Sequence, residues 1–281
     1  MENNQHSPSE LSQESIIYQA LNSPDYFIRV DAVKMIKDQD VIKKIAMHDK
    51  DYYVRQTAVE RLEDQEALKQ IACDDTDYYV RLAAVKKIVN PEALLEIILQ
   101  SQDDFYLCKD AIVGVKDDNI LERLVVELKD RNIKAAAVQA ISDQNILAKI
   151  ALENDDFYLR SDAINKVTDQ QLLCDIARND KDYYVRALAA QLIDDKDTIL
   201  YLALNDPDYY VRNQAVIKIH DNEVLVQIVK EDEDFEVRKR AISQITDINL
   251  LSKIRKEIQD QYIQKKIDMR ISDLSIAESS E

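Results

Sequence analysis

The phrase DYYVR recurs along this chain at a nearly constant interval, and this repetition constrains the fold more than any other feature. It occupies 51–55 and 182–186, and two further copies end at Arg81 and Arg212. Aligned on its last residue, the phrase marks ten positions that lie 26 residues apart, except for one step of 27. These positions are Arg29, Arg55, Arg81, Cys108, Lys134, Arg160, Arg186, Arg212, Arg238 and Gln264. A fixed period of this length predicts a stack of short repeats, each contacting its neighbours.

Two columns of capping residues predict two helices in each repeat. The first column, four residues before the aligned position, is Asp25, Asp51, Asp77, Asp104, Asp130, Asp156, Asp182, Asp208, Asp234 and Asp260. The second, nine residues after it, is Asp38, Asp64, Asn90, Asp117, Asp143, Asp169, Asp195, Asp221, Asp247 and Asp273. Both columns precede apolar residues at helical spacing, where an N-cap side chain accepts backbone N–H bonds. We predict an all-α fold, an α-solenoid of about ten 26-residue, two-helix repeats. In each repeat a helix of about three turns precedes a shorter one.

Composition limits the other fold classes and the partners. A single Gly in 281 residues leaves no Gly-rich phosphate loop, no dinucleotide fingerprint and few glycine-dependent hairpin turns. The formal net charge of −17 disfavours nucleic acid and anionic membranes as partners. Most of this charge comes from the two aspartate columns, and we do not interpret it as a field for a cationic ligand. Three Cys without zinc or disulfide spacing, and no secretory or membrane-spanning segment, predict a cytoplasmic protein.

Domain boundaries follow from the extent of the repeats. We predict a polar N-terminal extension over residues 1–10, a single solenoid over 11–273 and a polar C-terminal tail over 274–281. The sequence leaves the oligomeric state open.

The arginine column is predicted to be structural. On a helical wheel Arg55 falls among Val54, Ala58 and Leu62, so its charge must be paired. The expected partner is the N-cap aspartate of the same or the adjacent repeat, which would form a ladder of ion pairs. The predicted ladder residues are Arg29, Arg55, Arg81, Arg160, Arg186, Arg212 and Arg238.

Aromatic residues concentrate in the two columns just before the aligned position. The inner column mixes Tyr and Phe, as at Tyr52 and Phe105, which is typical of a core position. The outer column is nearly all Tyr. Its rings either fold over the interhelical loop of the neighbouring repeat or form a track for an extended peptide or partner helix.

The repeats around 99–134 depart from the pattern. An extra residue lies between Leu99 and Asp103, Cys108 replaces Arg, and Gly114 enters a helix. In the next repeat Arg131 and Asn132 replace both aromatic residues, and Lys134 replaces Arg. The irregularity is either a tolerated kink or a partner-specific notch. The candidate partner-binding residues are Tyr53, Tyr79, Tyr106, Arg131, Asn132, Tyr158, Tyr184 and Tyr210.

The phrase DYYVRQTAVERLED resembles the short HEAT-like repeat of phycobilin lyases and of many prokaryotic scaffold proteins. HEAT-like repeats place Asp and Arg where this chain has Asp51 and Arg55. The capped phrase that begins at Asp64 and contains Leu68, Ile71 and Ala72 is similar to the leucine-rich repeat variant, another α-solenoid. The chain lacks the iron–sulfur cysteine cluster that accompanies some of those variant repeats. The resemblance implies a solenoid with a binding role.

The sequence lacks the residues that the enzymatic alternatives require. Three His without a His-Glu pair exclude the di-iron hydroxylases with HEAT-like repeats, and an acidic chain without Trp disfavours the alkylpurine glycosylases. Carboxylate clusters before the caps, at 74–77, 179–182 and 231–234, are interpreted as solvated turns rather than calcium sites. We expect no catalytic residue, cofactor or metal, and a non-catalytic scaffold that binds a protein or peptide. The alternative is a lyase or chaperone-type subunit that handles a bilin chromophore or its carrier protein.

Overall fold

A computed structural model of the chain describes residues 12–278. Over this range the chain forms twenty helices joined by short turns, with no strand. The predicted all-α solenoid of about ten two-helix repeats is confirmed. The helices are α1 (Gln13–Asn22), α2 (Tyr26–Met35), α3 (Gln39–His48), α4 (Tyr52–Arg61), α5 (Gln65–Asp74), α6 (Tyr78–Val85), α7 (Pro91–Gln100), α8 (Phe105–Gly114), α9 (Asp118–Glu127), α10 (Arg131–Ala140), α11 (Gln144–Glu153), α12 (Phe157–Ile164), α13 (Gln170–Asn179), α14 (Tyr183–Leu192), α15 (Lys196–Asn205), α16 (Tyr209–Val216), α17 (Asn222–Glu231), α18 (Phe235–Gln244), α19 (Ile248–Glu257) and α20 (Gln261–Glu278).

The helices begin at the capping columns. Asp51 accepts a hydrogen bond from the Tyr53 N–H at the start of α4, and Asp64 accepts from two N–H groups at the start of α5. Each carboxylate satisfies N–H groups that have no partner within the helix. The prediction is wrong at Asp273, which lies inside α20 rather than before a helix.

Helix lengths differ from the prediction. The second helix of a repeat is not shorter, since α3 and α5 have 10 residues each. The first helix has 10 residues in α4 and only 8 in α6, α12 and α16. α6 is followed by a 3₁₀ turn, in which the Lys87 N–H bonds to the carbonyl of Ala84, three residues back.

The chain forms two compact units. Unit 1 is Met1–Asp143 and contains α1–α10, whereas unit 2 is Gln144–Glu281 and contains α11–α20. In each unit every odd-numbered helix packs mainly against the even-numbered helix that follows, so the packed hairpin starts one helix earlier than the predicted repeat. Even-numbered helices also pack against the next even-numbered helix, more extensively than the odd-numbered helices pack against each other. The core of the hairpins consists of aliphatic residues such as Leu62, Leu68 and Leu202.

The last helix is longer than the others. It has 18 residues and continues through 274–278, where the sequence predicts the start of a polar tail. The predicted extension over 1–10, and residues 279–281 of the tail, lie outside the described residues. None of the helices between residues 12 and 278 is both long enough and apolar enough to cross a lipid bilayer.

Candidate partner-binding surface

Each regular repeat is tied to the next by one arginine, as Arg55 shows. Its Nε and Nη2 atoms donate to the two carboxylate oxygens of Asp75 at 2.7 and 2.8 Å. Its Nη1 atom donates to the backbone carbonyl of Asp49 at 2.9 Å. Asp49 and Asp75 are the C-cap residues of α3 and α5, so one guanidinium joins the ends of two successive odd-numbered helices.

This arrangement recurs in both units, and we call it the Arg–Asp ladder. Its two-pronged pairs are Arg29–Asp49, Arg55–Asp75, Arg160–Asp180, Arg186–Asp206 and Arg212–Asp232. Such charge-assisted pairs are strong and directional. The hydrogen bonds with Asp206 raise the pKa of Arg186 above its ordinary value, so the guanidinium stays charged despite burial.

The ladder partner differs from the sequence expectation at most positions. The N-cap aspartate of the adjacent repeat is the partner only of Arg81, which binds Asp104, and of Arg238, which binds Asp260. Ser101 and Ile258 occupy the C-cap positions there and offer no carboxylate. Elsewhere the partner is the C-cap aspartate, two residues before the N-cap.

The interpretation of the carboxylate clusters as solvated turns is wrong for three of their aspartates. Asp75, Asp180 and Asp232 lie in those clusters, yet each carboxylate is largely buried against an arginine. A sequence signal existed, because an Asp stands 20 residues after five of the arginines.

A glutamine clamp is a second contact between repeats, and the sequence pattern did not predict it. Gln39, the first residue of α3, donates to the Arg61 carbonyl at 3.3 Å and accepts from the Glu63 N–H at 3.1 Å. It therefore bridges the turn between α4 and α5, in the next repeat. The same pair of bonds is made by Gln13, Gln65, Gln144 and Gln170.

The first two residues of most even-numbered helices are aromatic and form a band in each unit. Because an aspartate caps each helix immediately before them, their rings lie at the helix N-terminus, beside the C-cap turn of the preceding helix. The aromatic band of unit 1 is Tyr26, Phe27, Tyr52, Tyr53, Tyr78, Tyr79, Phe105 and Tyr106. The aromatic band of unit 2 is Phe157, Tyr158, Tyr183, Tyr184, Tyr209, Tyr210 and Phe235.

The predicted partner-binding tyrosines of the outer column differ in exposure and in ring contacts. Tyr79 and Tyr106 are 58% and 70% exposed. Tyr53, Tyr158 and Tyr184 are also exposed, whereas Tyr210 is half-buried. Three rings contact the inner ring of the previous repeat: Tyr53 with Tyr26, Tyr184 with Phe157 and Tyr210 with Tyr183, with centroids 6.2–6.3 Å apart.

The inner aromatic column is not part of the core, contrary to the prediction. Tyr183 and Tyr209 are 48% and 49% exposed, and Phe105 and Phe235 are also exposed. These residues lie at the edge of the apolar face in the first helical turn, where the next repeat covers only one side of the ring. Tyr78 is better covered and donates a hydrogen bond to Asp110 at 3.2 Å. Burial, followed by this carboxylate, raises the pKa of Tyr78.

The band of unit 1 ends at the irregular repeats. Arg131 and Asn132 begin α10, both are exposed, and Asp130 caps the helix through the Asn132 and Ile133 N–H groups. The extra residue is absorbed in the turn before α8, where the Asp104 N–H bonds to the Ser101 carbonyl at 2.8 Å. Cys108 is fully buried, and its Sγ atom donates to the same carbonyl at 3.2 Å.

No protein-family model matches the chain, and no curated protein is significantly similar to it. Among solved structures, the X-ray structure of YibA from Escherichia coli is 17% identical and covers 90% of this chain and 98% of its own, with a TM-score of 0.39. A designed armadillo repeat protein is 18% identical and covers 94% of this chain and 100% of its own, with a TM-score of 0.16. Both are helical repeat proteins, and neither carries an argument about a site. The likeness to phycobilin-lyase-type repeats stays a prediction.

Proposed function

We propose that this protein is a non-catalytic scaffold that binds a protein or peptide partner along its aromatic bands. The observation that carries the proposal is the exposure of Tyr53, Tyr79, Tyr106 and Tyr184, each of which is the second residue of an even-numbered helix. Exposed tyrosines present large, partly apolar surfaces with a polar tip, and such residues are favoured in protein interfaces.

The ladder supports this function by holding the bands in place. In the five two-pronged pairs the arginine fixes the end of the odd-numbered helix that precedes the next even-numbered helix, as Arg186 does through the Asp180 carbonyl and the Asp206 carboxylate. A surface that is already rigid loses little conformational entropy when a partner binds. Arg131 and Asn132, which replace the aromatic pair at the start of α10, belong to the proposed surface as the polar residues that follow the band of unit 1.

The test is a pulldown in which the proteins captured by the wild type and by a variant are compared by mass spectrometry. The variant replaces four outer tyrosines, Tyr53, Tyr79, Tyr158 and Tyr184, by alanine. The matched control replaces Tyr18 and Tyr201, the two tyrosines outside the aromatic columns, which are also exposed. We expect the fourfold variant to lose the proteins that the wild type and the control capture, with little change in melting temperature.

Two results would contradict the proposal. One is a large loss of stability in the fourfold variant, which would show that the rings mainly pack the repeats. The other is unchanged capture. A purified protein that carries a visible chromophore would instead favour the lyase or chaperone-type alternative.

A further inference from the structure

Among the described carboxylates of unit 2, some form an ion pair with an arginine and others do not. The ladder residues Asp180, Asp206 and Asp232 are each paired with an arginine. The N-cap residues beside the aromatic band are different. Asp182 and Asp208 each accept a backbone N–H bond, from Tyr184 and Tyr210, and no Lys or Arg in the part of the chain that the structure describes forms an ion pair with either.

The N-cap aspartates of the helices on either side of α14 and α16 are similar to Asp182 and Asp208. Asp156 and Asp234 accept only backbone N–H groups, and no ion pair to either is found within residues 12–278. Glu233, in the turn before α18, differs from these caps, because its exposed carboxylate lies 3.6 Å from Nη2 of Arg212. The N-cap aspartates of α12, α14, α16 and α18 therefore place a carboxylate without a direct ion pair beside the aromatic residues that begin each helix. Arg186 and Arg212 act on Asp208 and Asp234 only through longer-range electrostatic attraction.

Elsewhere in unit 2 an arginine packs on the ring of an exposed tyrosine. The guanidinium carbon of Arg178 lies 4.9 Å from the ring centroid of Tyr201, which is exposed on α15. An arginine over the face of a tyrosine is attracted by the negative face of the ring. In the aromatic band a cation over Tyr183, Tyr184 or Tyr209 would meet both a ring face and a nearby carboxylate.

The repeat spacing sets the spacing of such cations in a partner. Packed neighbouring helices lie roughly 8–10 Å apart, whereas an extended chain advances about 3.3 Å per residue. About three residues of an extended peptide therefore span one repeat. We propose that the aromatic band of unit 2 binds an extended basic segment of a partner protein, and that this segment carries Lys or Arg at about every third residue. This inference rests on the proposed function.

The experiment measures binding of fluorescein-labelled peptides to the full chain by fluorescence anisotropy. The probe is a peptide of four Arg-Ser-Ser triplets. One comparison peptide has the same composition with its four arginines adjacent, and another has glutamate in place of arginine. We expect the triplet peptide to bind most tightly and the glutamate peptide not to bind.

The decisive variant is Asp182→Asn with Asp208→Asn. Asparagine caps a helix about as well as aspartate, so the charge is removed while the cap is kept. The matched control is Asp169→Asn with Asp221→Asn, which removes the same charge from N-caps of α13 and α17. These two carboxylates also accept only backbone N–H bonds among the described residues, and they lie at the opposite end of the helical hairpins.

Relative to the wild type, we expect the decisive variant to bind the triplet peptide roughly tenfold more weakly, because it loses carboxylates next to the bound peptide. We expect the control variant to bind less than about threefold more weakly, because its carboxylates are distant and salt screens their attraction. Equal weakening in both variants, or equal affinity for the clustered or glutamate peptide, would overturn the inference. The proposed function is tested separately: if the triplet peptide fails to bind while the fourfold tyrosine variant still loses captured proteins, only the basic character of the partner is wrong.

Discussion

Three repeats place different residues at the same position of the ladder. In unit 2, Arg186 bonds to the C-cap carbonyl of Asp180 and to the carboxylate of Asp206. In unit 1, Cys108 bonds to the C-cap carbonyl of Ser101. Gln264, near the end of the chain, bonds to the C-cap carbonyl of Ile258 at 2.7 Å.

The comparison separates two roles of the arginine. What Arg186, Cys108 and Gln264 share is a donor to a helix-terminal carbonyl, which would otherwise lack a partner within its helix. What only an arginine adds is the two-pronged pair to the next repeat. In these three repeats the carbonyl bond closes the hairpin, and at Arg186 the ion pair also locks one hairpin onto the next.

The largest effect is expected when the ion pair is broken at Arg186. The side chain of Asp206 is 3% exposed, so Arg186→Ala leaves a buried, unpaired carboxylate. We expect a loss of about 3–5 kcal/mol in the free energy of unfolding, measured by urea denaturation followed by circular dichroism. The control is Lys239→Ala, which removes an exposed pair with Glu236 and should cost less than about 1 kcal/mol. Equal losses in the two variants would show that the buried pair does not lock the repeats.

A smaller effect is expected at Cys108, where no ion pair exists. Cys108→Ala removes a weak hydrogen bond to Ser101 and leaves a small cavity, so we expect a loss of about 1–2 kcal/mol. The same urea titration measures it. A loss as large as that of Arg186→Ala would mean that the carbonyl bond, rather than the ion pair, dominates the ladder.

Cys108 also gives the ladder a pH dependence that an arginine lacks. Burial, followed by Asp104 and Asp130, raises the pKa of Cys108 to about 12. A raised pKa stabilises the fold below the ordinary thiol value, and this contribution declines as the pH rises from there toward 12. Relative to Cys108→Ala, we expect the wild type to lose about 1 kcal/mol between pH 7.5 and 9.5. Stability curves of the two proteins that stay parallel across this range would contradict the burial of the thiol.

The smallest effect is expected at the glutamine clamp. Gln170→Ala removes bonds to the Leu192 carbonyl and the Asp194 N–H, both of which lie near solvent, and should cost about 0.5–1 kcal/mol. Lys196 occupies the equivalent position in α15, so Lys196→Ala is the matched control and should leave the urea midpoint unchanged. A loss at Lys196 equal to that at Gln170 would assign the effect to helix propensity.

Local signals in the sequence predicted the helices, but the sequence did not show which residues of different repeats contact each other. Asp51 is recognisable as an N-cap because the helix that it caps follows immediately. The partner of Arg55 could not be chosen, because Asp75 becomes adjacent only when α4 and α6 pack side by side. For the same reason a helical wheel places Tyr183 at the edge of the apolar face but does not show that the next repeat leaves half of its ring exposed. The outer tyrosines were found because their column is so uniform.

The most direct test of this division between buried arginines and exposed tyrosines lies within unit 1. The urea midpoints of the Tyr79→Ala, Tyr106→Ala double variant and of Arg55→Ala are compared with that of the wild type. Tyr79 and Tyr106 are largely exposed, whereas Arg55 and Asp75 form a largely buried pair. We predict that the tyrosine variant stays within about 1 kcal/mol of the wild type and that Arg55→Ala loses about 3 kcal/mol or more. A tyrosine variant that is destabilised as strongly as Arg55→Ala would show that these rings hold the repeats together instead of being available to a partner.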